Sequence, residues 1–297
     1  MAKWACWRHD SSLGNSGEIF TNMAYEICVN KQDHNPEIYI ELLFQKYFAL
    51  CIPNVKIENI HSFKDLDPNM DLDNLHTKVE QYRYLLSDIY MPDVYFRGLP
   101  LYYPSVWENL SQEKVGYLHF PYHYYANKFD LPKEAIVIQF RQYGTHYNRV
   151  DGNCCEMQRF VDPQRFVEIA LHYAELGFKV VKIGDPKQIA FPQHKNILDF
   201  GLFQHPDKTI LDDLFMIDNC KVFISCDSGI WPMAGGMRKP LVLTNVTSVF
   251  HNMILDKPCI TSWMDPACTK VLNKRIDKGT FCDNTVEEIY KAVSKLI

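Results

Sequence analysis

From residue 135 onward the apolar positions switch repeatedly between two spacings. Continuous apolar runs at 135–140, 178–183, 221–225 and 241–244 have the length of buried strands. Between them, 163–176 and 209–219 repeat apolar residues at helical spacing, a short helix follows 229, and another closes the chain at 286–296. Strands alternating with helices of this length predict βαβ units around a parallel sheet, with right-handed crossovers. The amino-terminal part is less regular. It opens with a strand at 3–9, a Gly/Ser/Asn-rich turn (DSSLGNSGE), and a helix at 19–30 with Ile19, Met23, Ala24 and Ile27 on one face. A second helix is predicted at 36–51, a strand at 55–60 and a third helix at 74–90, with short strand candidates at 94–96 and 115–118. A boundary near 130 then divides the chain into two α/β halves, residues 1–130 and 131–297, expected to face each other across a cleft.

Composition narrows the class of ligand. With 297 residues, 47% apolar and 23% charged, the chain can build one large or two medium cores. A net charge of −5 and the lack of a basic tract argue against a nucleic-acid partner. Residues 1–132 carry 11 Lys/Arg against 17 Asp/Glu, whereas residues 133–297 carry 20 against 19, so the second half is the better host for an anion. Ten cysteines are scattered without a CxxC pair, which predicts no zinc site. Neither a signal-peptide core nor a transmembrane-length apolar run is evident, and reduced thiols in a cytoplasmic protein are the expectation.

The candidate chemistry gathers where predicted strands end. Residues 221–245 (KVFISCDSGIWPMAGGMRKPLVLTN) read as strand, polar turn, helix and strand. A turn leaving a strand's carboxyl end and opening a helix is where α/β sheets bind ligands, and the first helical N–H groups suit an anion. Asp227, Ser228, Gly229 and Ile230 are therefore candidate phosphate-site residues; the alternative is a helix start capped by Asp227 or Ser228 with no ligand. On the same rim the pattern places Arg141, whose guanidinium can grip a diphosphate bidentately, together with Lys182 and the Gly184–Asp185 turn. Arg141 could equally pair with a neighbouring carboxylate.

Strand and xR loop, helix, strand and GDP, helix, then FISCDSG followed by KPLVLTN resembles the nucleotide-binding half of bacterial-type GT-B glycosyltransferases. Heptosyltransferases and fucosyltransferases with a His-x-Arg loop look similar over about residues 135–250. Gln139 stands where the fucosyltransferase pattern has His, which weighs against a guanosine-diphosphate-fucose donor and leaves Arg141 in place. The resemblance implies two Rossmann-like domains, with the nucleotide sugar in the second and a carbohydrate acceptor in the first. It also implies a base after the first glycine loop, where heptosyltransferases carry Gly-Asp. Here Gly17–Glu18 stands at that place, with Asp10 and His9 in reserve. A carboxylate that only complements the helix dipole is the other account of Glu18.

Two DLD pairs, at 65–67 and 71–73, follow no buried apolar strand and lack the calcium-loop spacing, so they read as a solvated loop rather than a metal site. The aromatic run at 117–129 holds His119 and His123 among six Phe and Tyr residues, and His123 and Tyr124 are candidates for stacking on an acceptor sugar, with packing as the alternative. The sequence thus points to a metal-independent, inverting glycosyltransferase with no cofactor beyond its nucleotide-sugar substrate. An epimerase of nucleotide sugars and a non-catalytic nucleotide- or carbohydrate-binding protein remain as alternatives.

Overall fold

The computed structural model of the chain describes residues 3–5, 35–72, 79–86, 89–90, 118–142, 160–226, 228–246, 268–273, 275–277 and 280–297. The chain forms two compact units, Met1–Tyr125 and Ala126–Ile297.

The first unit holds a parallel sheet in the order β3-β2-β1-β4, formed by β1 (Lys3–Ala5), β2 (Glu37–Ile40), β3 (Ile60–Ser62) and β4 (Ile89–Tyr90). The predicted helix at 36–51 is corrected here. Residues 37–40 pair with β1 as a strand, and the helix α1 is confined to Gln45–Ala49. The run EIYI is β-branched and aromatic, and Ile38, Tyr39 and Ile40 are all buried, so burial on both faces of the sheet hid the alternation that marks a strand. Gln45 then closes the turn by accepting from the Glu41 and Leu42 amides at 3.0 and 2.8 Å. The strand expected at 55–60 begins only at Ile60, because Ile57–Asn59 coil into a 3-10 turn. In the expected helix at 74–90, residues 73–78 lie outside the described residues. Val79–Tyr82 is a 3-10 turn, α2 covers Arg83–Leu86, and Ile89–Tyr90 is already strand. Tyr39, Phe63, Met70 and Ile89 form the core of this unit. The expected helix at 19–30 and the strand at 94–96 lie outside the described residues, as does nearly all of the one at 115–118.

The second unit is a six-stranded parallel sheet. Its strands are β5 (Ala135–Gln139), β6 (Val180–Lys182), β7 (Ile197–Asp199), β8 (Cys220–Cys226), β9 (Leu241–Val246) and β10 (Thr269–Asn273). A small antiparallel hairpin, β11 (Arg275–Asp277) and β12 (Thr280–Cys282), follows. Helices α3 (Pro163–Glu175), α4 (Ile210–Asp218), α5 (Trp231–Gly236) and α6 (Val286–Val293) complete the unit. Three of the four begin on a side-chain cap: Asp162 before α3, Thr209 before α4 and Thr285 before α6, the last two as reciprocal capping boxes. β5 carries Ala135, Ile136, Val137 and Ile138, all fully buried, as expected for a central strand covered on both faces. Strands β7, β10, β11 and β12 were not predicted; they are short and mostly half-polar.

The order is β10-β9-β8-β5-β6-β7. Counted within the unit from β7, that is 3-2-1-4-5-6, the order of dinucleotide-binding sheets. It reverses direction between β5 and β8, the first and fourth strands, so the loops leaving their carboxyl ends diverge and open a crevice there.

Candidate functional site

That crevice is where the sequence-predicted rim residues meet. Gln139, the last residue of β5, pairs in register with Ser225 of β8. Its side chain is the hub of a buried polar network. The Ser228 hydroxyl donates to Gln139 Oε1 at 2.6 Å, and Ser225 Oγ lies 2.9 Å from the same oxygen and 3.1 Å from the Cys226 carbonyl. Gln139 Nε2 donates to the Phe140 carbonyl at 3.1 Å. The Ser228 hydroxyl is thus tied to Gln139, and α5 starts at Trp231, after its N-cap Ile230, without a side-chain cap. Pro232 brings no N–H to the first turn of α5, and the Met233 amide is bonded to the Ile230 carbonyl. The helix start therefore offers fewer amide donors than the sequence suggested, and Gly229 and Ile230 present theirs from a turn.

Arg141 stands next to this network. Its backbone N–H donates to Cys226 Sγ at 3.0 Å and its carbonyl accepts from Val161, which fixes the chain as it leaves β5 at the end of β8. The next loop is stapled to the same place. Gly184 has φ of +109°, a conformation that side-chain-bearing residues rarely adopt, and a Cβ there would stand 3.5 Å from Gln139 Cγ and 3.6 Å from Gln188 Oε1. The Gln188 amide donates to the Phe140 carbonyl, Ile189 N–H donates to Gln142 Oε1 at 2.7 Å, and Asp185 Oδ1 accepts from Lys187 N–H at 2.9 Å. Arg141, Gly184, Asp185, Ser228, Gly229 and Ile230 are accordingly gathered at one end of one sheet.

Lys182 is not part of that rim. It is fully buried, and its ammonium donates to the Ile189 carbonyl at 2.8 Å and to both Asp199 oxygens at 3.2 Å. Burial pushes its pKa down while Asp199 holds it up, so the group is an internal ion pair. The sequence showed a lysine at a strand end; it could not show that β7, unseen in the pattern, supplies a carboxylate beside it.

His123 and Tyr124 sit in an exposed 3-10 turn, Tyr122–Tyr124, of the first unit. The Tyr124 hydroxyl accepts from Ile57 N–H at 3.4 Å, and the buried Phe120 packs edge-on against Tyr122 and Tyr125. Glu18, Asp10, His9 and Asp227 lie outside the described residues. Of the two DLD pairs, Asp65 accepts from Ser62 N–H in a capping box and Asp67 from Asn69 N–H, both local turn bonds; Asp73 lies outside the described residues. Among the described residues no three His, Cys, Asp or Glu side chains cluster to hold a metal ion, and no helix is long and apolar enough to cross a membrane.

The rim brings together the buried Arg141, amide and hydroxyl side chains and a glycine turn, residue types suited to an anionic, polyhydroxylated ligand. No protein-family model matches the chain, and no curated protein matches its sequence. Its structure is similar to that of E. coli ADP-heptose LPS heptosyltransferase II, with a TM-score of 0.56, 14% identity, and coverage of 100% of this chain and 98% of that one. It is also similar to E. coli heptosyltransferase WaaC with ADP, with a TM-score of 0.51, 10% identity, and coverage of 95% and 97%. The likeness runs the length of the chain and shows the fold, which is of the GT-B type, as the sequence resemblance implied.

Proposed function

We propose that the chain is a glycosyltransferase that moves a sugar from a nucleotide-activated donor to a carbohydrate acceptor. The observation that carries this reading is the switch-point rim of the second unit, on a fold shared end to end with two sugar transferases, one of them solved with a nucleoside diphosphate. Arg141 supplies the positive charge that a departing diphosphate requires, Gly184 and Asp185 border the donor, and the 228–230 turn presents backbone amides to phosphate. In the displacement, a lone pair of the acceptor hydroxyl forms a bond to the anomeric carbon as the carbon–oxygen bond to the diphosphate breaks. The hydroxyl proton passes to a carboxylate, for which Glu18 is first in line, with Asp10 and His9 behind it. Attack opposite to the leaving group inverts the anomeric centre, and the cationic rim makes a metal unnecessary. Residues 131–297 hold the donor in this reading, and residues 1–130 hold the acceptor, with His123 and Tyr124 against the sugar.

Thermal-shift titration with ADP, UDP, GDP and CDP and their sugar conjugates tests it. A ligand at a hundred times its dissociation constant adds about 2.7 kcal/mol to stability, enough for a shift of several degrees. Arg141→Ala should weaken the diphosphate by roughly 1.5–3 kcal/mol and leave the bare nucleoside nearly unaffected. No shift with any nucleotide would overturn the proposal. Binding without transfer or donor hydrolysis would leave a binding protein in its place.

A further inference from the structure

Arg141 is held by its backbone on both sides. Its N–H donates to Cys226 Sγ at 3.0 Å, and its carbonyl accepts from Val161 N–H at 3.2 Å. Sulfur is a weak acceptor, so the Val161 bond carries more of the restraint. The next residue, Asp162, turns its own N–H to the Asp283 carboxylate at 2.7 Å, a charge-assisted bond spanning 121 positions of sequence. The Asp162 side chain is already committed, since it caps α3 by accepting from Gln164 N–H at 3.0 Å. Arg165, in the first turn of α3, donates through Nη1 to the carbonyls of Asp283, at 2.9 Å, and Asn284. Residues 161–165 therefore connect Arg141 to the segment that opens α6.

That segment is fixed in turn to the sheet. Asn284 and Asn245 are both buried, and the backbone N–H of each donates to Oδ1 of the other at 2.7 Å. Asn245 lies near the end of β9, one residue after Thr244, which pairs in register with Cys226 of β8. Cys226 is the residue that holds the Arg141 N–H, so the path closes on itself. The ring runs from Arg141 through Val161 and Asp162 to Asp283 and Asn284, on to Asn245, and back by the β9–β8 pairing. It binds two strand ends at the carboxyl edge of the sheet to the starts of α3 and α6, and Arg141 is its member on the crevice rim.

We infer that Asp283 and Asn284 are positioning residues for Arg141: by closing the ring they fix the backbone from which the guanidinium reaches a diphosphate. The inference rests on the role proposed above for Arg141. Misplacing a positioned group by about 1 Å costs up to about 10²-fold; opening one link while α3 keeps its cap costs less, about tenfold in diphosphate affinity.

Isothermal titration tests it, using whichever of ADP, UDP, GDP and CDP binds the wild type, against the matching nucleoside, below the melting transition of every variant. Asp283→Ala should weaken the nucleoside diphosphate about tenfold and leave the nucleoside nearly unaffected. Asp283→Asn, which keeps an acceptor oxygen for the Asp162 N–H, should recover most of that loss. Added to Arg141→Ala, Asp283→Ala should cost no further affinity, because both act through one guanidinium. Asp218→Asn weakens the 2.7 Å pair with Lys239 at the opposite, amino-terminal edge of the sheet, controls for lost stability, and should change neither affinity. If Asp283→Ala keeps the wild-type preference for the diphosphate while Arg141→Ala loses it, the positioning role is overturned and the proposed function stands. Absence of nucleotide binding in the wild type, or equal loss of diphosphate and nucleoside in Arg141→Ala, overturns the role of Arg141 and the inference with it. Should Asp283→Ala fail to fold, amide hydrogen exchange in the wild type decides. The nucleoside diphosphate, and not the nucleoside, should slow exchange at Val161, Asp162, Asn245 and Asn284, because coupling between a ligand and the ring is reciprocal. Exchange unchanged at those amides overturns the inference.

Discussion

Lys182→Met separates a lysine that holds the fold from one that holds a ligand. Lys182 is fully buried, and its side chain pairs with Asp199, which is only 12% exposed and lies 3.2 Å away. Removing one member of a buried ion pair strands the other, at a typical cost of about 3–5 kcal/mol. Asp199 would keep two backbone donors, Phe191 N–H at 2.8 Å and Leu202 N–H at 3.2 Å, which places the loss near the low end, about 3 kcal/mol. In a unit of this size each kcal/mol moves the melting temperature by about 2–4 °C, so a fall of roughly 6–12 °C is expected. Adding Asp199→Asn removes the stranded charge and should recover part of it. Scanning calorimetry gives the stability, and nucleotide titration below the variant's transition gives affinity per folded molecule, expected to be unchanged. A melting temperature within about 2 °C of wild type, combined with a tenfold or greater loss of nucleotide affinity, would place the ammonium in the ligand site and refute the internal role.

Asp213 makes stability depend on pH in a definite direction. Its folded pKa of about 7 exceeds the ordinary 3.8, so the folded chain retains a proton that the unfolded chain releases. Its contribution is complete below about pH 4 and is lost as pH rises through 7; Asp213→Asn should flatten that slope and gain at most about 4 kcal/mol at pH 8 in denaturant titrations. Glu18→Gln should cut turnover by about 10² to 10⁴ with nucleotide affinity nearly unchanged, and normal turnover would move the search for the base to Asp10 and His9. Transfer activity should persist in EDTA, because the rim carries its own cation in Arg141; complete loss restored by manganese would contradict the metal-independent reading.

The carboxyl-terminal sheet was largely legible because its central strands are continuous apolar runs and its helices carry proline, aspartate or threonine at their starts. Edge strands were not. Ile197–Asp199 and Thr269–Asn273 are short and partly polar, and only pairing with a neighbour makes them strands. The same limit explains the site. Gln139 was noticed as a departure from a pattern, but its role as acceptor for Ser225 and Ser228 depends on residues 86 and 89 positions away. Lys182 misled for the reverse reason, since its partner lies on an unseen strand. Asn245, with φ of +56°, exchanges backbone-to-side-chain bonds of 2.7 Å with Asn284 at the end of β9, where the pairing with β10 slips register. No local signal marks that clasp, because an asparagine in a turn-prone sequence reads the same whether or not another waits opposite.

The strand order has a consequence for the chain while it is still being made. β5 lies at the centre of the finished sheet, yet β8, which covers one of its edges, follows it by more than eighty residues. At about 5–20 residues per second of synthesis, the fully apolar run from Ala135 to Ile138 waits roughly 4–16 s with that edge bare. Through that interval β6 and β7 can already have zipped onto its other side, leaving a half-sheet whose open border is its most apolar strand. The crevice at the switch point thus begins as an adhesive surface of a nascent protein, and expression yield should respond to chaperone supply and to translation speed between β5 and β8.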